Sequence, residues 1–372
     1  MTFRPRRHVG GASLALSLWA ACAFATPRVS TIPVAPLIER ARDSQRLSFD
    51  LLFENSGDTP LVLTRLEVTW FDAGGGFVGQ QRLDTNGDET TMSIITIPNR
   101  SLPGRSRLVV FNPFWRFPLD VTLGRMHYEA TFDAGDSLPA QTVALDVLPQ
   151  VYATAPPLLL PLAGEVFVHD GHDFTAHHRR LDITGGMTTH FGITGNFMRY
   201  AHDFVVTDRQ GRMFRTDGAR PEDWFGYGAP IRAPAAGVVR EMSDGIPDNR
   251  KGSPPPFGEA ELMKNLRLFL GNHVVIEHAD GTFSLLAHMK QGSVRVKSGD
   301  RVARGAPLGE MGMSGDAFLV HLHYQHQSGP GFEEGLPAYF ERVRVRNGRG
   351  WSLPFTGPVD SGDVVEAVAS AK

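Results

Sequence analysis

Apolar residues recur at every second position through much of this chain, and that spacing favours strands. In "RLSFDLLF" it puts Leu47, Phe49, Leu51 and Phe53 on one face. "LEVTWF" does the same with Leu66, Val68 and Trp70, "MHYEATF" with Met126, Tyr128, Ala130 and Phe132, and "TVALDV" with Val143, Leu145 and Val147. Successive strand side chains point to opposite faces, so period two marks a half-buried strand. Turn signals ("NSGDTP", "DAGGG", "NGD", "LPGRS") separate these runs, and 40 glycines and 26 prolines suit many short strands. The pattern predicts an antiparallel, immunoglobulin-like β-sandwich over residues 28–152. No cluster of ionisable side chains marks it, so it reads as a spacer or binding module.

"LPQVYATAPPLLLPLAGEV" then interrupts the pattern with four prolines. It is expected to be a linker at 153–163 leading into a second domain. That domain is again strand-rich, with "NHVVIEH", "TFSLLAHM" and "HLHYQ". One helix is expected in "GEAELMKNLRLFL", with Leu262, Leu266 and Phe269 or Leu270 on one face.

The first residues read "MTFRPRRHVGGASLALSLWAACAFATP". Three arginines precede an apolar run too short to span a bilayer, and Ala23-Phe24-Ala25 is a small-x-small cleavage signal. A signal peptide over 1–25 is expected, and with it a periplasmic or secreted location. Cleavage after Ala25 would remove Cys22, the sole cysteine, and with it any disulfide or thiolate-held metal. Lipidation of Cys22 is the alternative, with Trp19 poorly suited to a lipobox. A net charge of −3 gives no reason to expect a nucleic-acid partner.

Without thiols, histidine is the soft ligand available, and "VHLHYQH" (320–326) holds three of the 14. In a strand, His321, His323 and Gln325 share one face, and Leu322, Tyr324 and His326 the other. Alone, such a pair is often only two surface histidines. Its context is "RYAHDFVV…GYGAPIRAPAAGVVREM" and "GNHVVIEHADGTFSLLAHMKQGSVRVKSGDRVARGAPLGEMGMSGDAFLVHLHYQ".

In that order these segments closely resemble the lysostaphin-like zinc metallopeptidases, which cut peptide bonds in bacterial cell walls. The resemblance covers roughly residues 160–345 and is strongest from Arg199 to Gln325. It implies an antiparallel β-sheet peptidase domain with an open groove, over 164–345, followed by a C-terminal extension at 346–372. It makes Asp203 and His323 zinc ligands, and gives His288 and His321 the water and the transition state. The compact family pattern has another ligand histidine four residues before the aspartate, where this chain has Arg199. The first ligand is therefore expected upstream, among His172, His177, His178, His190 and His202. His202 adjoins Asp203 and should face the other way. "TAHHRRLDI" resembles a longer-spaced branch and favours His178, with His190 in "TTHFGITGNF" as the alternative.

Other marked residues have plainer readings. His273 and His278 flank a strand as structural or groove-lining residues. The "GSPPPFGE" loop walls a groove or is a tolerated insertion. The glycines of "GEMGMSGD" are tight turns, because no P-loop lysine follows.

The sequence thus predicts an all-β, Zn2+-dependent endopeptidase acting on the peptide stems of peptidoglycan. A regulatory protein would be a second partner, met through the N-terminal domain. Two alternatives stand beside it: a non-catalytic wall-binding regulator of other hydrolases, and a peptidase acting on a secreted protein. The N-terminal domain is expected to be dispensable for the chemistry.

Overall fold

The computed structural model describes residues 26–85, 92–135, 138–152 and 157–368. The expected signal peptide and Cys22 lie outside them. Among the described residues no helix is long and apolar enough to cross a membrane.

The alternation from Leu47 to Phe53 is realised across two sheets. Leu47 ends the strand Gln45–Leu47, the chain crosses at Ser48 and Phe49, and Leu51 and Phe53 belong to Asp50–Asn55. That strand lies between Arg28–Ile32 and Ser106–Phe111. Facing it is a sheet whose centre is Leu61–Phe71 paired with Arg125–Asp133. Between them Phe53 meets Phe132 and Phe49 meets Tyr128 edge to face, at 5.2 and 5.7 Å. Leu66, Val68, Met126 and Ala130 close the same core. This is an antiparallel sandwich, compatible with the immunoglobulin-like expectation.

The second half is built on one large sheet. From one edge, its order is Arg301–Val302, Gly237–Ser243, Asn272–Glu277, Phe283–Met289, Leu322–Gln327, His202–Val205, Glu165–Asp170, Val364–Ala367, Phe340–Asn347 and Gly350–Trp351. Leu286, Tyr324, Phe204, Val274 and Val168 point from one face into the main core. Asp203, His323 and Ala287 sit in one register row and point the other way.

Three sequence expectations change here. From Leu158 the expected linker is core: Leu158, Leu160 and Leu162 are buried with the sheet residues, their period-two spacing serving an extended edge. Residues beyond 345 are not an appendage, because Val364–Ala367 pairs with both Glu165–Asp170 and Phe340–Asn347. The expected single helix is two short pieces, Glu259–Leu262 and a 3-10 turn, Leu266–Leu270. Asn265 parts them: its backbone is extended, and its side-chain oxygen accepts the N–H of Arg267. A local cap of this kind competes with continued helix.

Candidate metal centre

Strand pairing alone assembles most of the site. Asp203 lies directly opposite His323, and Ala287 lies on the other side of His323. His178 reaches this row from a short 3-10 turn, His178–Arg180, in the loop after Glu165–Asp170. Its Nε2 is 3.5 Å from Asp203 Oδ2, and His323 Nδ1 is 3.0 Å from Asp203 Oδ1. One donor atom from each of His178, Asp203 and His323 fits within 4.8 Å of the others.

His288 joins them through a bulge. Asn272 pairs with Met289 and Val274 with Leu286, so the 286–289 strand holds one residue more than its partner. His288 takes the strain with φ 59°. Leu286 and Met289 thereby both stay in the core, while the His288 ring comes 4.6 Å from that of His321 and 5.8 Å from that of His323. Period-two reading alone would have sent His288 into the core. His288 Nδ1 donates to Ser314 O at 2.8 Å. The turn behind Ser314 needs Gly315 (φ 80°), where a Cβ would lie 2.4 Å from Gly271 N.

All five side chains are nearly sealed from water: His178, His288 and His323 are 3% exposed, and Asp203 and His321 5%. The site is therefore largely closed over. His177 marks its solvent side, with its ring 4.1 Å from that of His178.

The hydrogen bonds set the histidine tautomers. Gln327 Nε2 donates to Gly329 O and Gly331 O, so its amide oxygen faces Gln325. Gln325 Nε2 donates to that oxygen, which turns Gln325 Oε1 towards His323 Nε2 at 3.0 Å. The proton of His323 is thus on Nε2, and the Nδ1 lone pair faces Asp203. On His178, Nδ1 lies 2.8 Å from Asp170 Oδ2, though bent from good hydrogen-bond geometry. A carboxylate there favours N–H on Nδ1 and leaves the Nε2 lone pair towards Asp203. Two neutral imidazoles and a carboxylate converging with free lone pairs form the donor set of a catalytic zinc site, which keeps one position open. The residues fit the metal that the sequence implied.

Without a metal, protons on these rings take the place of the cation. Burial opposes the Asp203 carboxylate, but proton-bearing His178, His321 and His323 beside it outweigh that and hold its pKa well below the ordinary value. Burial lowers His178, with Asp203 pulling the other way. His288 is held well below an ordinary imidazole by burial and then by His321 and His323. His321 is also buried, but Asp203 3.4 Å away outweighs this and raises it.

The other candidate ligands are elsewhere. His190 is exposed, its Nε2 2.9 Å from Met263 O. His172 is buried beside Glu39, 3.1 Å away. His202 faces away from Asp203, stacked on Phe204. His273 and His278 bond Glu241 and Ser284. Arg199 is turned from the site towards Asp50 and Glu334.

Residues 223–331 match the profile of Peptidase family M23. The chain carries an M23 peptidase domain. The matched part of this M23 domain holds His288, His321 and His323, while His178 and Asp203 precede it. No curated protein matches the chain. Among solved structures it is similar to the catalytic domain of the M23 protein EnpA from Enterococcus faecalis. The identity is 23%, over 37% of this chain and 72% of that one, with a TM-score of 0.22. It is also similar to the catalytic domain of the antimicrobial peptidase lysostaphin from Staphylococcus simulans, at 20%, 44%, 80% and 0.23. For the M23 metalloprotease Pseudoalterin from the deep sea, the same figures are 13%, 56%, 99% and 0.29.

Sequence reasoning gave Gln325 a face but no task, and missed Asp170. The acidic residue eight positions before His178 in "DGHDFTAHH" was the available signal. Outer partners of metal-binding histidines orient the ring and commonly matter 10–100-fold in affinity. Gln325→Leu is therefore expected to weaken zinc binding by roughly that factor in a folded protein. Competition with a chelating dye measures it, and an unchanged affinity would leave the amide relay without a role.

Proposed function

We propose that this protein is a zinc-dependent endopeptidase that hydrolyses peptide bonds in peptidoglycan cross-links, in the periplasm or outside the cell. The observation that carries this reading is the convergence of His178 Nε2, Asp203 and His323 Nδ1, with His288 and His321 packed against them. Zinc, when bound, supplies a Lewis acid that brings the pKa of water towards neutrality. The chain contributes the rest. His321 beside Asp203 favours its ionised form, the tautomers of His178 and His323 are fixed from behind, and burial keeps bulk water from screening the site. His288 and His321 stand beside the three ligands, where one can take a proton and the other can face a developing oxyanion.

The domain plan belongs to the same reading: a signal peptide through residue 25, the sandwich at 28–152, and a peptidase domain that starts by Leu158 and includes the strand Val364–Ala367. The regulator alternative rested on Arg199 at a ligand position. His178 supplies the missing donor, which favours the enzyme.

The mature protein is expected to contain about one zinc per chain. It should release peptides from purified peptidoglycan, and lose that activity to a chelator and regain it with zinc. Elemental analysis and product chromatography are the measurements. Full lytic activity in metal-free protein would overturn the reading.

A further inference from the structure

The loop that carries His178 is docked on the N-terminal sandwich. Phe174 stacks on Trp115, with ring centroids 5.6 Å apart and planes 6° apart. The Arg180 guanidinium lies over Phe111, 5.1 Å from its centroid. Arg179, next to His178, is 1% exposed and points into the sandwich, its Nη2 3.3 Å from Asn112 O and 3.5 Å from Leu47 O. Two backbone carbonyls in a buried place are a site for a cation, and arginine fills it with a rigid fork.

A second path runs through charges. Asp50, fully buried in the sandwich, pairs with Arg199 at 2.9 Å. Arg199, also fully buried, pairs through Nε with Glu334. Glu334 Oε2 accepts the N–H of Asn196 at 2.9 Å. Asn196 Nδ2 donates to His178 O at 3.1 Å and to Arg179 O at 3.2 Å. An unbroken series of contacts therefore joins Asp50 to the backbone of the candidate metal ligand. Arg199, within this series, also lies four residues before Asp203 in the chain.

We propose that the N-terminal sandwich is part of the metal centre, and that Asp50, through Arg199, Glu334 and Asn196, is a positioning residue that sets the place of His178. The proposal rests on the metal-site reading above, and it reverses the sequence expectation that the N-terminal domain is dispensable for the chemistry. The physical reason is local. His178 sits in a 3-10 turn of three residues rather than in the sheet that fixes Asp203 and His323. A ligand in a short turn takes its position from what the turn packs against, and here much of that packing is the sandwich.

The test uses the full chain carrying Asp50→Asn, which keeps the shape and removes the charge. Zinc affinity is read by chelator competition, the ligand geometry by the visible absorption of the Co2+-loaded protein, and folding by circular dichroism. The expected result is a folded protein that binds zinc roughly 10–100-fold more weakly, with an altered Co2+ spectrum. A purely structural role for Asp50 would lower the unfolding temperature and leave the spectrum unchanged. A folded Asp50→Asn variant with affinity within about twofold of the unsubstituted protein and the same spectrum would overturn the proposal. If Asp50→Asn does not fold, Trp115→Leu at its half-buried position tests the same docking. It too should weaken zinc binding and shift the Co2+ bands, and unchanged values there overturn the proposal. Failure of the unsubstituted chain to bind zinc would instead remove the metal-site reading on which the proposal rests.

Discussion

His323→Ala and His178→Ala should each empty the metal centre and abolish hydrolysis, while His190→Ala should keep both metal and activity. Each of the first two supplies one of the three donor atoms that lie within 4.8 Å of one another. Among the other candidates, His190 is exposed beside Met263 O, His172 faces Glu39, and His202 stacks on Phe204 on the far side of its strand. His177 is the nearest alternative, but its Nδ1 is 2.9 Å from Asp170 Oδ2 and its ring lies at the solvent side. The loss of affinity should exceed the roughly 10–100-fold that removal of an outer partner costs, because a direct bond is lost. In His178→Ala, Asp170 also loses its buried partner, so a fall in stability should accompany the loss of metal. Zinc content by elemental analysis, with circular dichroism to establish folding, decides the matter. If His190→Ala empties the site and His178→Ala does not, the ligand has been assigned to the wrong side of the insertion.

The strand half of this site was legible because strands obey a rule that sequence displays. Period two put His321, His323 and Gln325 on one face and sent His202 away from Asp203. The motif resemblance supplied Asp203 and His288, but the bulge that brings His288 to the site leaves no mark in the alternation. It is an agreement between two strands about which holds the extra residue. His178 was harder still. The resemblance of "TAHHRRLDI" favoured His178, but nothing in the spacing of that stretch says which histidine turns inward. That depends on Arg179 and Phe174 finding partners in the sandwich, 67 and 59 residues earlier. The expected helix failed for a related reason: Leu262, Leu266 and Leu270 have helical spacing, yet Asn265 caps the second piece and breaks the first. Contacts between distant segments decided each of these places, and one-residue-wide patterns do not carry them.

Removing either imidazole beside the three ligands should leave zinc bound and lower the rate by roughly 10²–10⁴, the usual worth of an acid or base group. The two should differ in the limb of the pH profile they erase. His288 and His321 both give their Nδ1 protons to backbone carbonyls, of Ser314 and Leu319, and so turn Nε2 to the site. A neutral ring placed this way accepts a proton at Nε2, and only a protonated ring can donate there. Burial and two histidine neighbours keep His288 neutral, which suits a base. Of the two, His321 is the one in contact with Asp203, which favours its protonated form against burial. A bound cation lowers both and takes up part of the Asp203 charge that favours protonated His321. The base must be deprotonated, so activity should rise with pH through the His288 pKa, below the ordinary imidazole value of about 6.5. The donor must be protonated, so activity should fall as pH rises through the higher His321 pKa. The profile of kcat/KM is then a bell. His288→Ala should flatten its acid limb and His321→Ala its basic limb, each with zinc content unchanged. Exchanged limbs would exchange the two roles, and loss of zinc from either variant would make that histidine a ligand.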